Sequence, residues 1–283
     1  MSAVTTTETA ARAVVAAVQV ARTYGVVSHD PSVLADGANV VVHLRPAPLV
    51  AKIAATTHLV REPADWLARE LHVATHLARA GLPVVLPSDL LPPRVHARGP
   101  DLMTFWQHLP HDPGALVAPE RLGEMLRDLH AALRSAHPEL PRLITPFEDV
   151  SRVLDRADPV TTTGMRRAFD RVLDRLPRDA PDQALHGDPH PGNLLLGADG
   201  WTWADLEDTC AGPVAWDLAC VATSTRIDSA EALRAYGTVP DLDPWIELRR
   251  LHATAWTCLY AERLPRHRAP AELLLASWDS RPG

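Results

Sequence analysis

The chain has 283 residues, 46% of them hydrophobic and 22% charged, with a formal net charge of −7. That length allows one large domain or two modest ones around a full core, and the composition excludes a collagen, a disordered tail or a disulfide-stapled miniprotein. No run approaches about 20 uninterrupted apolar residues, so no membrane span is expected, and the acidic balance argues against a nucleic-acid surface while suiting a cationic substrate.

Residues 5–24 read as an amphipathic helix with threonines available to cap its start. Its apolar stretch Ala13–Ala21 is interrupted by Gln19 and preceded by Glu8 and Arg12, which fits a helix and not a secretory signal. Strand-type runs follow at Val40–Leu44 and Leu49–Ala54, joined by the turn Arg45-Pro46-Ala47-Pro48 and preceded by Asp36-Gly37-Ala38-Asn39. The chain holds 27 arginines and a single lysine, Lys52. On a surface the two cations are nearly interchangeable, so a lone lysine inside an apolar β run points to a site that needs a compact ammonium.

Residues 62–80 predict a helix closed by Gly81-Leu82-Pro83. Trp66, Glu70, Ala74 and Leu77 fall on one stripe of it, so Glu70 shares a face with apolar residues. A buried carboxylate needs a partner. Lys52 is the one lysine available, an arginine could serve instead, and a carboxylate at the stripe's edge reaching solvent is an equal alternative. Proline-rich turns from Leu82 to Pro93 then lead to the strand-type run Leu102–Trp106, and the loop from Gln107 to Gly114 marks a lobe boundary. Beyond it the chain reads as helical over roughly 118–136, 146–157 and 163–176, with more helices after residue 214. This is an α+β, two-lobe pattern, with residues 1–106 as the N-terminal lobe and 107–283 as the C-terminal lobe.

The chemistry concentrates in His186-Gly187-Asp188-Pro189-His190-Pro191-Gly192-Asn193 and the segment after it. Gly197-Ala198-Asp199-Gly200 between two apolar runs is a hairpin signal. Facing residue numbers in that hairpin sum to about 397, which sets Asn193 opposite Ala204 or Asp205, with paired Cβ atoms ~5 Å apart. An amide oxygen and a carboxylate so placed are hard donors that suit Mg²⁺. Asp188, in the fixed Gly/Pro loop, is placed to accept a proton from an attacking hydroxyl. Taken singly, each of these residues could equally be an ordinary turn or cap. The three cysteines, Cys210, Cys220 and Cys258, form neither an even disulfide set nor a CxxC pair, so a soluble cytoplasmic protein of a reducing compartment is expected.

The spacing from Asp188 to Asn193 repeats the D-x-x-x-x-N of the kinase catalytic loop, and Val50-Ala51-Lys52-Ile53 is similar to its β3 lysine motif. The form His-Gly-Asp-x-His-x-x-Asn, followed by Asp205-Leu206-Glu207-Asp208 and Trp216-Asp217-Leu218-Ala219, resembles the aminoglycoside phosphotransferase family, which includes choline- and homoserine-type kinases. The resemblance runs from about residue 30 to 225 and is strongest over 186–219. It implies a bilobal, protein kinase-like fold and transfer of a phosphoryl group from ATP or GTP, with Mg²⁺, to a small hydroxylated molecule. By the same resemblance Asp188 is the catalytic base, Asn193 and Asp205 hold Mg²⁺, and Lys52 contacts the phosphates, steadied by Glu70. Gln107 and Leu109 offer backbone groups to adenine. Asp217 and His186 brace the catalytic loop, His190 stands behind it, and Glu207 and Asp208 join a second metal, meet substrate or remain solvated.

The sequence departs from the wider kinase pattern. There is no GxGxxG, so phosphate cover falls to Asp36-Gly37-Ala38-Asn39, with Asn39 the residue assigned to it. HRD becomes His-Gly-Asp and DFG becomes Asp-Leu-Glu. Eleven residues separate Asp205 from Asp217, too few for a long peptide-docking segment, so a small acceptor is expected. Aminoglycosides, other amino sugars, other antibiotics and primary alcohols such as choline or homoserine all stay open as acceptors. Two other readings compete. One is a nucleotide-binding regulator without catalysis; the other is a transition-metal cluster of His186, Asp188 and His190. Asp241, Asp243, Trp245, Trp256 and Glu262, near or on C-terminal helices, are candidate walls of an acceptor pocket.

Overall fold

The computed structural model describes residues 7–136, 140–177 and 179–280. The chain divides into two compact units, Met1–Asp112 with Gly197–Thr202, and Pro113–Leu196 with Trp203–Gly283. The architecture is α+β, β-rich in the first unit and mostly helical in the second, as the sequence predicts. No described helix is long and apolar enough to cross a membrane.

The first unit opens with α1 (Glu8–Thr23), whose start is capped by the Thr7 hydroxyl accepting from the Ala10 amide at 3.1 Å. Strands β1 (Asp30–Asp36), β2 (Asn39–Arg45) and β3 (Leu49–Ala54) follow, then α2 (Pro63–Arg79), β4 (His96–Arg98) and β5 (Asp101–Gln107). The five strands form one antiparallel sheet in the order β1-β2-β3-β5-β4. Leu49, Ala51 and Ile53 of β3 join Val40, Val42, Leu44, Met103 and Phe105 in a core closed by Ala10, Ala13, Ala17 and Val20 of α1. Because side chains alternate along a strand, Lys52 points to the opposite face. It lies between Val41 of β2 and Thr104 of β5 in register.

Neither β1 nor β4 is anticipated by the sequence. Both are sheet edges, β1 has no fully buried residue, and β4 is three residues long, so no alternating pattern marks them. The stripe on α2 is as expected, with Trp66, Glu70, Ala74 and Leu77 all buried. The helix ends just before Gly81, whose φ of +82° supplies the left-handed turn.

The second unit begins with α3 (Pro119–Ala136), α4 (Thr145–Arg156) and α5 (Thr163–Arg175). Then come β6 (Asp182–Leu185), a short 3₁₀ turn at Pro191–Asn193, the hairpin β7 (Leu194–Gly197) and β8 (Gly200–Trp203), whose residues Gly197–Thr202 count with the first unit, and β9 (Cys210–Pro213). Four helices close the chain: α6 (Ala215–Ala222), α7 (Ser229–Tyr236), α8 (Asp243–Arg263) and α9 (Arg268–Asp279). The hairpin register is the expected one, since the Ala204 amide donates to the Asn193 carbonyl at 2.8 Å. Strand β6 pairs antiparallel with β9 across the two ends of the 186–209 segment, a short non-local pairing with no sequence signal of its own.

Candidate functional site

In the first unit, the Lys52 ammonium meets Glu70 Oε2 at 2.8 Å, with the two side chains only 8% and 4% exposed. β3 places the cation and α2 the anion. Of the three partners open to Glu70 in the sequence, the structure shows the lysine. A charge taken this far from water is tolerated only beside its counter-charge.

Asn39 is the first residue of β2, buried and paired in register with Ala54. The turn before it is tied down: the Gly37 amide donates to the Asn39 carbonyl at 3.0 Å, and the Thr56 amide and hydroxyl donate to the carbonyls of Ala38 and Gly37 at 2.8 and 2.9 Å. At the other end of the sheet, the Gln107 amide donates to the Leu86 carbonyl at 2.9 Å and the Leu109 carbonyl accepts from His111 Nδ1 at 2.9 Å. Those two backbone groups are engaged within the unit.

In the second unit, α6 fixes the loop that carries Asp188. Asp217, fully buried, accepts from the amides of His186 and Gly187 at 2.8 and 2.9 Å and from His130 Nε2 of α3 at 2.8 Å. The Trp216 indole N–H donates to the Gly187 carbonyl at 2.6 Å. The Asp188 amide donates to His186 Nδ1 at 3.3 Å, and its carbonyl accepts from the Asn193 amide nitrogen at 2.9 Å. The main chain on both sides of Asp188 is therefore held, while its carboxylate stays 27% exposed. Asp217→Ala would leave those buried N–H groups unmatched, at about 1–3 kcal/mol for each. We expect a clear fall in the urea midpoint together with lost turnover.

Gly187 has a φ of +92°, and a Cβ there would lie 2.0 Å from the Asp208 carbonyl oxygen. A left-handed alanine costs roughly 1–2 kcal/mol before any clash, so Gly187→Ala is expected to displace the Asp188 loop. Circular dichroism would show a lowered melting temperature, and turnover would fall with it.

Asn193 closes the 3₁₀ turn beside β7, and its amide nitrogen is already spent on the Asp188 carbonyl, so its side-chain oxygen is the donor atom left for a cation. Asp205 follows the last residues of the hairpin with a φ of 60°, the one positive φ at a non-glycine among the described residues. Such a conformation costs of order 1–3 kcal/mol and is concentrated at functional sites. An amide oxygen and an exposed carboxylate joined through the Asn193–Ala204 backbone bond form a hard donor set that fits Mg²⁺ and not a soft metal. The His186, Asp188, His190 cluster is not built as a ligand set. His186 Nδ1 is taken by the Asp188 amide, and His190 Nδ1 by the Gly192 amide at 2.9 Å. Burial holds the His186 imidazole below its ordinary pKa, hence neutral.

Arg249, from α8, is the residue that sequence reasoning missed. Its Nη2 meets Asp188 Oδ1 at 2.5 Å. Burial alone would raise the Asp188 carboxyl, but the Arg249 guanidinium beside it holds it below the usual carboxylate range. Arg249 Nη1 lies 3.3 Å from His252 Nδ1, His252 Nε2 lies 3.1 Å from Asp149 Oδ2, and the Trp256 indole N–H donates to the same oxygen at 3.0 Å. One arginine among 27 carries no signal of its own. Histidine and tryptophan at helical spacing from it, 252 and 256, were the available hint. Of the other candidate wall residues, Trp245 is core, Asp241 caps the Asp243 amide, and Glu262 pairs with Arg156.

The model of the phosphotransferase enzyme family matches residues 31–275. The chain belongs to that family. Among solved structures it is similar to an amicoumacin kinase in complex with AMP-PNP, Ca²⁺ and Ami, at 16% identity over 93% of each chain and a TM-score of 0.69. It is also similar to a microcompartment-associated aminopropanol kinase, at 17% identity over 93% of this chain and 95% of that one, with a TM-score of 0.68. An aminoglycoside 2′-phosphotransferase in its GDP complex matches at 15% identity over 93% and 97%, with a TM-score of 0.65. At such identities the likeness is one of fold, and that fold is the protein kinase-like one the motifs imply. No curated protein matches the chain. In this phosphotransferase the family match reaches well past residue 225, where the motif resemblance fades, and takes in all of α8 and with it Arg249.

Proposed function

We propose that this phosphotransferase moves the γ-phosphoryl group of ATP or GTP to a hydroxyl of a small molecule, with Asp188 as the base. The observation that carries the reading is the Asp188 loop. It is anchored through Asp217, Trp216, His186 and Asn193, yet its carboxylate remains accessible and ionised. In this reading residues 1–106 bind the nucleotide and 107–283 bind the acceptor and carry the base. Lys52, held by Glu70, contacts the phosphates, the turn ending at Asn39 covers them, and Gln107 and Leu109 meet the base through the carbonyl of the first and the amide of the second. Asn193 and Asp205 hold Mg²⁺, which when bound neutralises charge on the phosphates. Asp188 orients the acceptor hydroxyl and takes its proton as the phosphorus–oxygen bond forms. Little covalent help is needed, so positioning and charge supply most of the acceleration.

The acceptor side favours a compound bearing an amine. Trp256 and Tyr260 of α8 stand 5.6 Å apart, and the field of Asp188, Glu207, Asp205 and Asp208 reaches the Tyr260 phenol. Burial first, and those carboxylates second, raise the phenol well above its ordinary pKa, so it stays neutral. Aromatic faces in a negative field attract cations.

A coupled assay of nucleoside diphosphate release tests this, run with ATP and GTP over aminoglycosides, other amino sugars, macrolides, aminopropanol, choline and homoserine. Acceptor-dependent release that stops on chelation of Mg²⁺ is the expected result. Nucleotide binding with no release for any acceptor would favour the silent regulator.

A further inference from the structure

Resting on the reading of Asp188 as base, we propose that Arg249 is a positioning residue that claims Asp188 Oδ1 and leaves Oδ2 to receive the acceptor hydroxyl, with His252, Asp149 and Trp256 holding its guanidinium in place. A carboxylate turns readily about its last torsion, and its two oxygens exchange unless one is tied. Here Oδ1 is tied at 2.5 Å, while His190 Nε2 stands 3.7 Å from Oδ2, beyond hydrogen-bond range. One oxygen is fixed and the other is left for chemistry.

The support behind the guanidinium is directional. The buried Asp149 carboxylate accepts from the Trp256 indole and from His252 Nε2. The Trp256 indole nitrogen also stands 3.0 Å from His252 Nε2, but the Asp149 carboxylate can only accept, which assigns the His252 proton to Nε2 and leaves the lone pair of Nδ1 to Arg249 Nη1. Arg249 thus bridges His252 with one terminal nitrogen and Asp188 with the other, a span suited to a planar fork and not to an ammonium. Trp216 flanks the same group, its ring 5.7 Å from that of His252 and 5.9 Å from the guanidinium carbon. Burying a carboxylate, an imidazole and a guanidinium together adds little stability compared with an apolar core. Their placement is better explained by the fixed geometry they impose on Asp188.

The test uses the full chain with Mg²⁺, ATP and GTP, and the fastest acceptor of the panel above. Arg249→Met should lower kcat by about 10²-fold, the cost of a misplaced reacting group, with nucleotide Kd and acceptor KM unchanged. Arg249→Lys, which keeps the charge but cannot bridge both partners, should lose most of the same kcat while keeping the melting temperature. It stands in should Arg249→Met fail to fold. In an Asp188→Asn background, Arg249→Met should cost nothing further, because it acts through the base. Wild-type kcat in Arg249→Lys, a loss expressed in KM, or losses that multiply in the double variant would each overturn the proposal. Full turnover in Asp188→Asn alone would instead overturn the reading of the base.

Discussion

Asp188→Asn is expected to lower turnover by about 10²–10⁴-fold, the usual contribution of a positioned base, while leaving nucleotide affinity and the fold intact. The substitution is chosen because the amide keeps an oxygen for Arg249 and the main-chain bonds to His186 and Asn193 do not involve the side chain. What is lost is the ability to take a proton at neutral pH. The Arg249 guanidinium holds the carboxyl below its ordinary range, so the wild-type base is ionised throughout the neutral region. Calorimetric titration with nucleotide and steady-state kinetics on the same preparation separate binding from turnover. Equal turnover in the two proteins would remove Asp188 from the chemistry.

Lys52→Met should show the opposite balance, a large effect on the fold as well as on the nucleotide. It takes the lysine away from Glu70, which is 4% exposed on α2. Breaking a buried pair from one side costs about 3–5 kcal/mol, a shift read directly in urea unfolding. Adding Glu70→Leu removes the other half of the buried pair, and we expect the Lys52→Met/Glu70→Leu protein to regain most of that stability. Nucleotide turnover should not return, since no ammonium remains for the phosphates. A double variant that recovers both would make Lys52 a structural residue, and a single variant that loses neither would mean that its burial is incidental.

Much of this was legible in the sequence because the informative residues are set against their surroundings. A lone lysine in an apolar strand, a glutamate on an apolar helical stripe and a Gly/Pro loop rich in polar side chains each break a local rule. The hairpin register followed from the turn alone and fixed which backbone group faces Asn193. Edge strands β1 and β4 were hidden because half-exposed strands lack alternation. Arg249 was hidden for a different reason. It reaches Asp188 from 61 residues downstream, through packing of α8 that no local pattern encodes. The bracing roles of Asp217 and His186 came from motif resemblance, and the donors they engage, His130 among them, are visible only in three dimensions.

The central claim is that a phosphoryl group passes from nucleotide to a small hydroxylated acceptor at Asp188. Incubation with γ-labelled nucleotide, Mg²⁺ and acceptor, followed by mass spectrometry of the acceptor, tests it most directly. Label on the acceptor hydroxyl with the wild-type chain, and none with Asp188→Asn, is the predicted result. Label that remains in the nucleotide or appears solely as inorganic phosphate, with every acceptor of the panel, would contradict it.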